Sequence, residues 1–212
     1  MQFVIYPSGV EQAVREMNAL PAQAARATAS ALRKTGRSLQ TRIKREAARE
    51  LRLPQKFLAR RFYVSRVKVG AQHATLWIGL RSLRVEPLGT VGRYGETGAK
   101  FAGVMVVGGS RRLVYRGAFL AKMQPDAPER IYIRLSSKHF DPALYPIKAK
   151  TQQRLDSGEP FGGRFPVVRP AIPISGPIIA AVGRVREDAV PIFEKIFASE
   201  LNYQVNVRGK KK

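Results

Sequence analysis

No cysteine occurs among the 212 residues, which excludes disulfides, thiolate nucleophiles and every Cys-based zinc or iron–sulfur site. Only two histidines are present. His73 falls in an expected turn and His139 precedes Phe140-Asp141, so neither has the i, i+4 partner that a helical metal site uses. Carboxylates are scarce as well, 15 in all, and Glu86, Glu96, Asp126, Glu129, Asp141, Asp156 and Glu159 are spread through expected loops. Nothing in their spacing brings two together for acid/base or two-metal chemistry. The chain lacks a G-x-S-x-G elbow, a P-loop and a dinucleotide fingerprint. Ser65-Arg66-Val67-Lys68 does fit S-x-x-K, but it sits in an alternating stretch without the companion motifs and reads as chance. No run of 18 apolar residues exists, and Met1 to Tyr6 has no basic n-region. Neither a membrane span nor an export signal is therefore expected. These absences imply a non-enzymatic protein without metal or cofactor.

What the chain has in excess is positive charge. Lys and Arg number 38 against 15 Asp and Glu, for a formal charge of +23 and a pI near 11.2. Self-repulsion at this density opposes a compact fold, so the molecule needs a counter-charge. A nucleic acid supplies one by releasing condensed counterions, which makes the association salt-dependent and indifferent to base sequence. The alternative is a solvated basic face with no partner.

At 44% hydrophobic residues the chain can bury a core. Gln2 to Tyr6 reads as a strand, and Ser8-Gly9-Val10-Glu11 matches a capping box that opens a short helix to about Ala19. Pro21 suits the first turn of a second helix running from Ala22 to Leu51. Its stripe is Leu32, Gly36, Leu39, Ile43, Ala47 and Leu51, and the helix of about 30 residues would be roughly 45 Å long at 1.5 Å per residue. The period then changes to two: Phe62 to Val69 and Ala74 to Arg81 form a hairpin around Gly70 to His73. Further strands are expected at Ala102 to Val107, at Arg112 to Phe119 after a Gly108-Gly109-Ser110 turn, and at Arg130 to Leu135. Gly89 to Gly103 and Ser157 to Gly163 read as surface loops. Ser175-Gly176-Pro177 opens a terminal helix with the stripe Ile178, Val182, Val185, Ala189, Ile192 and Ile196, and Phe193 and Phe197 beside it. Pro191 either kinks that helix or restarts it with Asp188 as cap.

The expected fold class is α+β: a long N-terminal basic helix, a central antiparallel β-sheet or partial barrel, and a C-terminal amphipathic helix packed on the sheet. One domain, 1–212, would comprise a strand and basic helical region at 2–61, a β-rich core with long loops at 62–170, the C-terminal helix at 171–201, and a basic tail at 202–212.

Charge is concentrated early. Fourteen Lys and Arg lie between Ala22 and Gly70, against Glu46 and Glu50 alone. Projected at 100° per residue, Lys34, Arg37, Lys44, Arg45 and Arg52 fall in a broad arc away from the apolar stripe, with Arg26 on its margin. A charged helix face is commonly just solvated, but such faces carry acidic partners four residues away, and few exist here. These six residues are the candidate DNA- or polyanion-facing set. Phe57, Phe62, Tyr63 and Trp77 lie near the basic region, where aromatics can serve as stacking platforms. Their positions in a helix and hairpin fit core packing better.

In order along the chain, these segments resemble the prophage minor tail protein Z family of long-tailed bacteriophages. The closest likeness runs from Ala31-Leu32-Arg33-Lys34-Thr35-Gly36 through Ala47-Ala48-Arg49-Glu50-Leu51-Arg52-Leu53-Pro54-Gln55-Lys56 into Arg60-Arg61-Phe62. It is similar to that family's alanine-rich helix and basic L-x-Q-K turn, and Arg169-Pro170-Ala171 is similar to the R-P-A-like segment before a C-terminal helix. The resemblance implies a virion structural protein at the head-proximal end of the tail, made in the host cytoplasm and completing the tail for joining to the head. It further implies a ring, most simply a hexamer, around the DNA channel, touching tail terminator, tail tube or connector proteins and genomic duplex DNA non-specifically, with no membrane. No catalytic residue comes with it. A free DNA-binding regulator with Leu51 to Phe62 in a helix-turn-helix is the alternative, though such modules need a compact helical trio. A ribosome-associated RNA-binding protein shares the charge.

Overall fold

The computed structural model describes residues 1–97, 100–108, 111–147, 149–158 and 166–208. The Gly109-Ser110 half of the expected turn, the 159–163 part of the second expected loop and the tail from Gly209 lie outside these residues. In chain order the N-terminal elements are β1 (Gln2–Ile5), α1 (Val10–Glu16), α2 (Pro21–Glu50), β2 (Phe62–Val64) and β3 (Ala74–Ile78). There follow β4 (Leu83–Arg84), β5 (Thr90–Thr97), β6 (Lys100–Gly108), β7 (Arg111–Arg116), β8 (Phe119–Ala121), β9 (Arg130–Arg134) and α3 (Ala149–Asp156). The chain continues through β10 (Val167–Val168), β11 (Ala171–Ile172), α4 (Ser175–Arg186) and α5 (Ala189–Asn202) to a π-helical turn at Tyr203–Arg208. They form an α+β fold in two compact units, one of Met1–Leu80 with the chain from Gly176 on, the other Arg81–Ser175.

The first unit is built on α2, whose 30 residues match the expected helix. Its six-residue apolar stripe is buried throughout. At the N-terminus the Leu20 N–H donates to Gln23 Oε1 at 2.9 Å, and Pro21 occupies the first turn, where its missing N–H costs nothing. One face of α2 lies on the antiparallel sheet β1–β3–β2. Contact is close at Gly36, where a Cβ would stand 2.8 Å from Val64 Cγ1, and Gln40 Nε2 donates to the Phe62 carbonyl at 3.1 Å. The two hairpin segments do pair, but with Phe62 opposite Ile78 and Val64 opposite Leu76, and the connection is longer than the expected four residues because β2 ends at Val64. The capping box expected at Ser8 and Glu11 does not form: Gly9 is the N-cap, and the Ser8 hydroxyl donates to Glu194 Oε1 instead, at 3.1 Å.

The C-terminal amphipathic helix, expected on the sheet, packs chiefly along α2. The single helix also breaks after Arg186 and restarts at Ala189. Asp188 is the N-cap residue, yet its side chain does not cap; it accepts from Arg42 Nη1 at 2.8 Å. The break resets the helical phase. Ile178, Val182 and Val185 are buried as expected, but beyond the break Phe193, Phe197 and Leu201 fill the seam while Ala189, Ile192 and Ile196 are half-buried. The rings of Phe193 and Phe197 stack at 5.7 Å with an 8° tilt.

In the second unit the antiparallel β structure is divided into three small sheets, ordered β5–β6–β7, β10–β9–β8 and β11–β4. Thr90–Thr97, expected as part of a loop, is instead a strand paired along β6. Glycines at 92 and 95 erase its alternation, and the strand is fixed by antiparallel pairing with β6, the next strand in the chain, from Thr97 opposite Lys100 onward. Gly117, at φ 67, splits the expected strand Arg112 to Phe119 into β7 and β8. Helix α3 had no counterpart in the sequence reading. Beside β4 and β11, Arg169 Nε and Nη2 both donate to Glu86 Oε1, at 3.2 and 2.9 Å.

Candidate nucleic-acid interface

Helix α2 sorts its charges by side. At 100° per residue Arg26, Arg33, Arg37 and Lys44 fall within an arc of about 40°; the arginines are exposed and Lys44 half-buried. The helix's two acids lie away from this arc and are occupied. Arg184 on α4 donates from Nε to Glu46 Oε2 at 2.7 Å and from Nη2 to Glu50 Oε2 at 3.2 Å. These carboxylates, which sequence alone sets against the basic face, are thus drawn to the C-terminal helices. The arc is left cationic.

Two flanking bases are engaged with the same helices. Lys34, a member of the expected set, pairs with Glu200 on α5, and Arg42 with Asp188. Burial by itself would raise the Glu200 pKa; hydrogen bonds from Lys34 and Ser30 and the charges of Lys34 and Arg33 outweigh it and hold the carboxyl below its usual range. Since the folded value is depressed, the pair's stabilisation is fully present above the ordinary glutamate value of about 4.3 and is lost as pH falls through the folded one. Glu200→Gln should therefore lower stability to urea at pH 7, by no more than about 1 kcal/mol because Lys34 is exposed to screening. The gap to wild type should close as pH falls through the depressed folded value; a constant gap across the acid range would remove the ion pair as its cause.

Arg45 is exposed on the far flank of the arc. Arg52 is exposed too, but α2 ends at Glu50 and Arg52 takes a left-handed φ of 51, so helical projection does not apply to it. The segment Leu51 to Phe62 contains two three-residue 3-10 turns, Gln55–Phe57 and Ala59–Arg61, and no helix long enough to read a groove.

The structure adds what the sequence reading left aside. Arg33 and Arg37 project beside the chain that leaves β2, and with Tyr63, Val64, Ser65, Arg66, Val67, Lys68 and Val69 they line a groove of about 530 Å³. Four cations and no carboxylate line it. Arg66 and Lys68 belong to the expected strand Phe62 to Val69 and to the S-x-x-K match, and Arg33 stands outside the candidate set although it lies four residues before Arg37. The available signal was the coincidence of a helical and a period-two basic pattern, which only folding places side by side. Of the expected set, Arg37 enters this groove, Arg26 and Lys44 continue its line along α2, and Lys34, Arg45 and Arg52 do not line it. Phosphate oxygens can be held here as point charges, without any geometry for reading base edges. Among the described residues no three His, Asp or Glu side chains gather into a metal site, and no helix is long and apolar enough to cross a membrane.

In comparison with known proteins, the model of a family described as prophage minor tail protein Z (GPZ) matches residues 8–208. No curated protein and no solved structure matches the chain.

Proposed function

Since the chain belongs to the prophage minor tail protein Z family and is thereby a structural protein of a phage tail, we propose that it completes the head-proximal end of the tail for joining to the head. In this reading it assembles as a ring, most simply of six copies, against tail terminator, tube or connector proteins, and turns the α2 arc and the adjoining groove toward the DNA that passes through. The single observation that supports it best is the one-sided charge of α2, cationic on its exposed arc while Glu46 and Glu50 lie on the other side, paired there with Arg184. DNA in a channel must be held and must also move. Phosphate-directed Lys and Arg do both, since counterion release provides affinity and the absence of base contacts leaves no register to break. A closed ring also multiplies the +23 of each copy. Such an assembly needs DNA or acidic neighbours to be stable.

Tails assembled without this protein are expected to lack a finished head-proximal end in negative-stain images and to fail to join filled heads. Normal tails that still join heads would reject the reading.

A further inference from the structure

Tyr63 and Trp77 fit core positions by sequence, but the fold turns both outward. They are directly opposite each other in the β2–β3 register, with Tyr63 63% and Trp77 48% exposed, while Phe62, Leu76 and Ile78 of the same strands are buried. Residues so paired have Cα atoms about 4.5–5.5 Å apart, so the outer face of the sheet carries two neighbouring exposed aromatic side chains, with Val4 exposed on it as well. This surface adjoins the basic groove. Tyr63 belongs to both, lining the groove together with Arg33, Arg37, Arg66 and Lys68.

We propose that the groove and the Tyr63–Trp77 face together form a binding site for single-stranded nucleic acid, in which phosphates lie along the four cations and unpaired bases stack on the two rings. The proposal rests on the reading above that this groove meets nucleic acid, and it adds a requirement for unpaired bases. A duplex satisfies the cations alone, because its base faces are closed inside the stack. An acidic protein segment would likewise meet the cations, but its carboxylates are repelled by the negative faces of aromatic rings and gain nothing from Tyr63 and Trp77. Unpaired bases use both features, and stacking tolerates any sequence because every base has a π-face.

Trp77 is the chain's single tryptophan, so fluorescence excited selectively in tryptophan rather than tyrosine reports on this site. The full-length protein would be titrated at ~0.1 M salt with a 20-nucleotide oligothymidylate, a duplex of the same length, polyphosphate and polyglutamate, at an ionic strength where counterion release is still strong. Oligothymidylate is expected to quench Trp77 strongly and the three others to leave it nearly unchanged. Equal quenching by polyphosphate or polyglutamate would reveal a charge-only or acidic-protein site and overturn the proposal. Tyr63→Ala and Trp77→Ala remove exposed side chains, and circular dichroism would check that the fold is kept. By anisotropy of a labelled oligonucleotide each should weaken single-strand binding about tenfold and leave duplex binding unchanged. Equal loss on both ligands, or no loss on either, would also overturn it. If duplex binds with steep salt dependence while Trp77 stays silent to the oligonucleotide, the stacking site alone fails. If neither ligand binds, the nucleic-acid reading of the groove fails with it.

Discussion

Replacing Arg33, Arg37, Arg66 and Lys68 together by glutamine is expected to lower affinity for duplex DNA by about two orders of magnitude near 0.1 M salt and to flatten its salt dependence. Each phosphate contact on B-DNA contributes about 0.9 to the slope of log affinity against log salt, so losing four should reduce that slope by roughly 3–4. Glutamine keeps the length and helix propensity of the positions on α2 while removing charge. The four residues line one groove without a carboxylate, so their removal exposes no unpaired acid. A matched control removes the same charge elsewhere: Lys122, Lys138, Lys150 and Lys195 are exposed, and their substitution by glutamine should leave the slope near that of wild type. Equal loss in both variants would mean that the protein binds through its net charge and that the groove has no special part. The measurement is a salt series of duplex titrations for the three proteins.

Phe193→Ala is expected to cost about 3–5 kcal/mol of stability, the range for truncating a buried aromatic ring. The ring is fully buried in the α2–α5 seam and stacks on Phe197, so its removal leaves a cavity and strips Phe197 of its partner. The seam matters beyond its own contacts. Along it α5 delivers Glu200 to Lys34, and at its start Asp188 reaches Arg42. Phe193→Leu keeps more of the volume and should cost markedly less, while Val190→Ala, on an exposed part of the same helix, should stay within about 0.5 kcal/mol. Denaturant unfolding of the three variants is the measurement, with a shifted midpoint and an unchanged slope indicating a pure change in stability. A loss below about 1 kcal/mol for Phe193→Ala, set against the range for buried rings, would show that the seam is not what anchors α5.

Local pattern carried much of the architecture. Helix α2 was legible because its stripe repeats at three and four residues from Leu32 to Leu51, and the hairpin because its alternation survives on both strands. Strand β5 was not. Glycines at 92 and 95 blur its period, so that only its pairing with the following strand β6 shows it to be extended. The C-terminal stripe was legible up to Val185 and misread after it, since the break shifts the buried face downstream by one position, from Ile192 and Ile196 to Phe193 and Phe197, about 100° at 100° per residue. Ser8 and Asp188 are cap residues by type, but each spends its side chain on a distant partner, Glu194 and Arg42. A tertiary hydrogen bond or ion pair outcompetes a local cap where one is in reach.

The basic helix met in the sequence thus has a sharper form in the fold. Composition alone determined that this protein carries a surplus of +23, which repels itself however it is arranged and which a polyanion or acidic neighbours would offset. Periodicity alone placed much of that charge on one long helix. Which of its bases remain for a ligand was decided by tertiary structure: Arg184, Asp188 and Glu200 come from more than a hundred residues away to claim Glu46, Glu50, Arg42 and Lys34. The same holds for Tyr63 and Trp77. Alternation states that two faces of a strand differ, and only the docking of α2 against one of them determines which face is left to solvent.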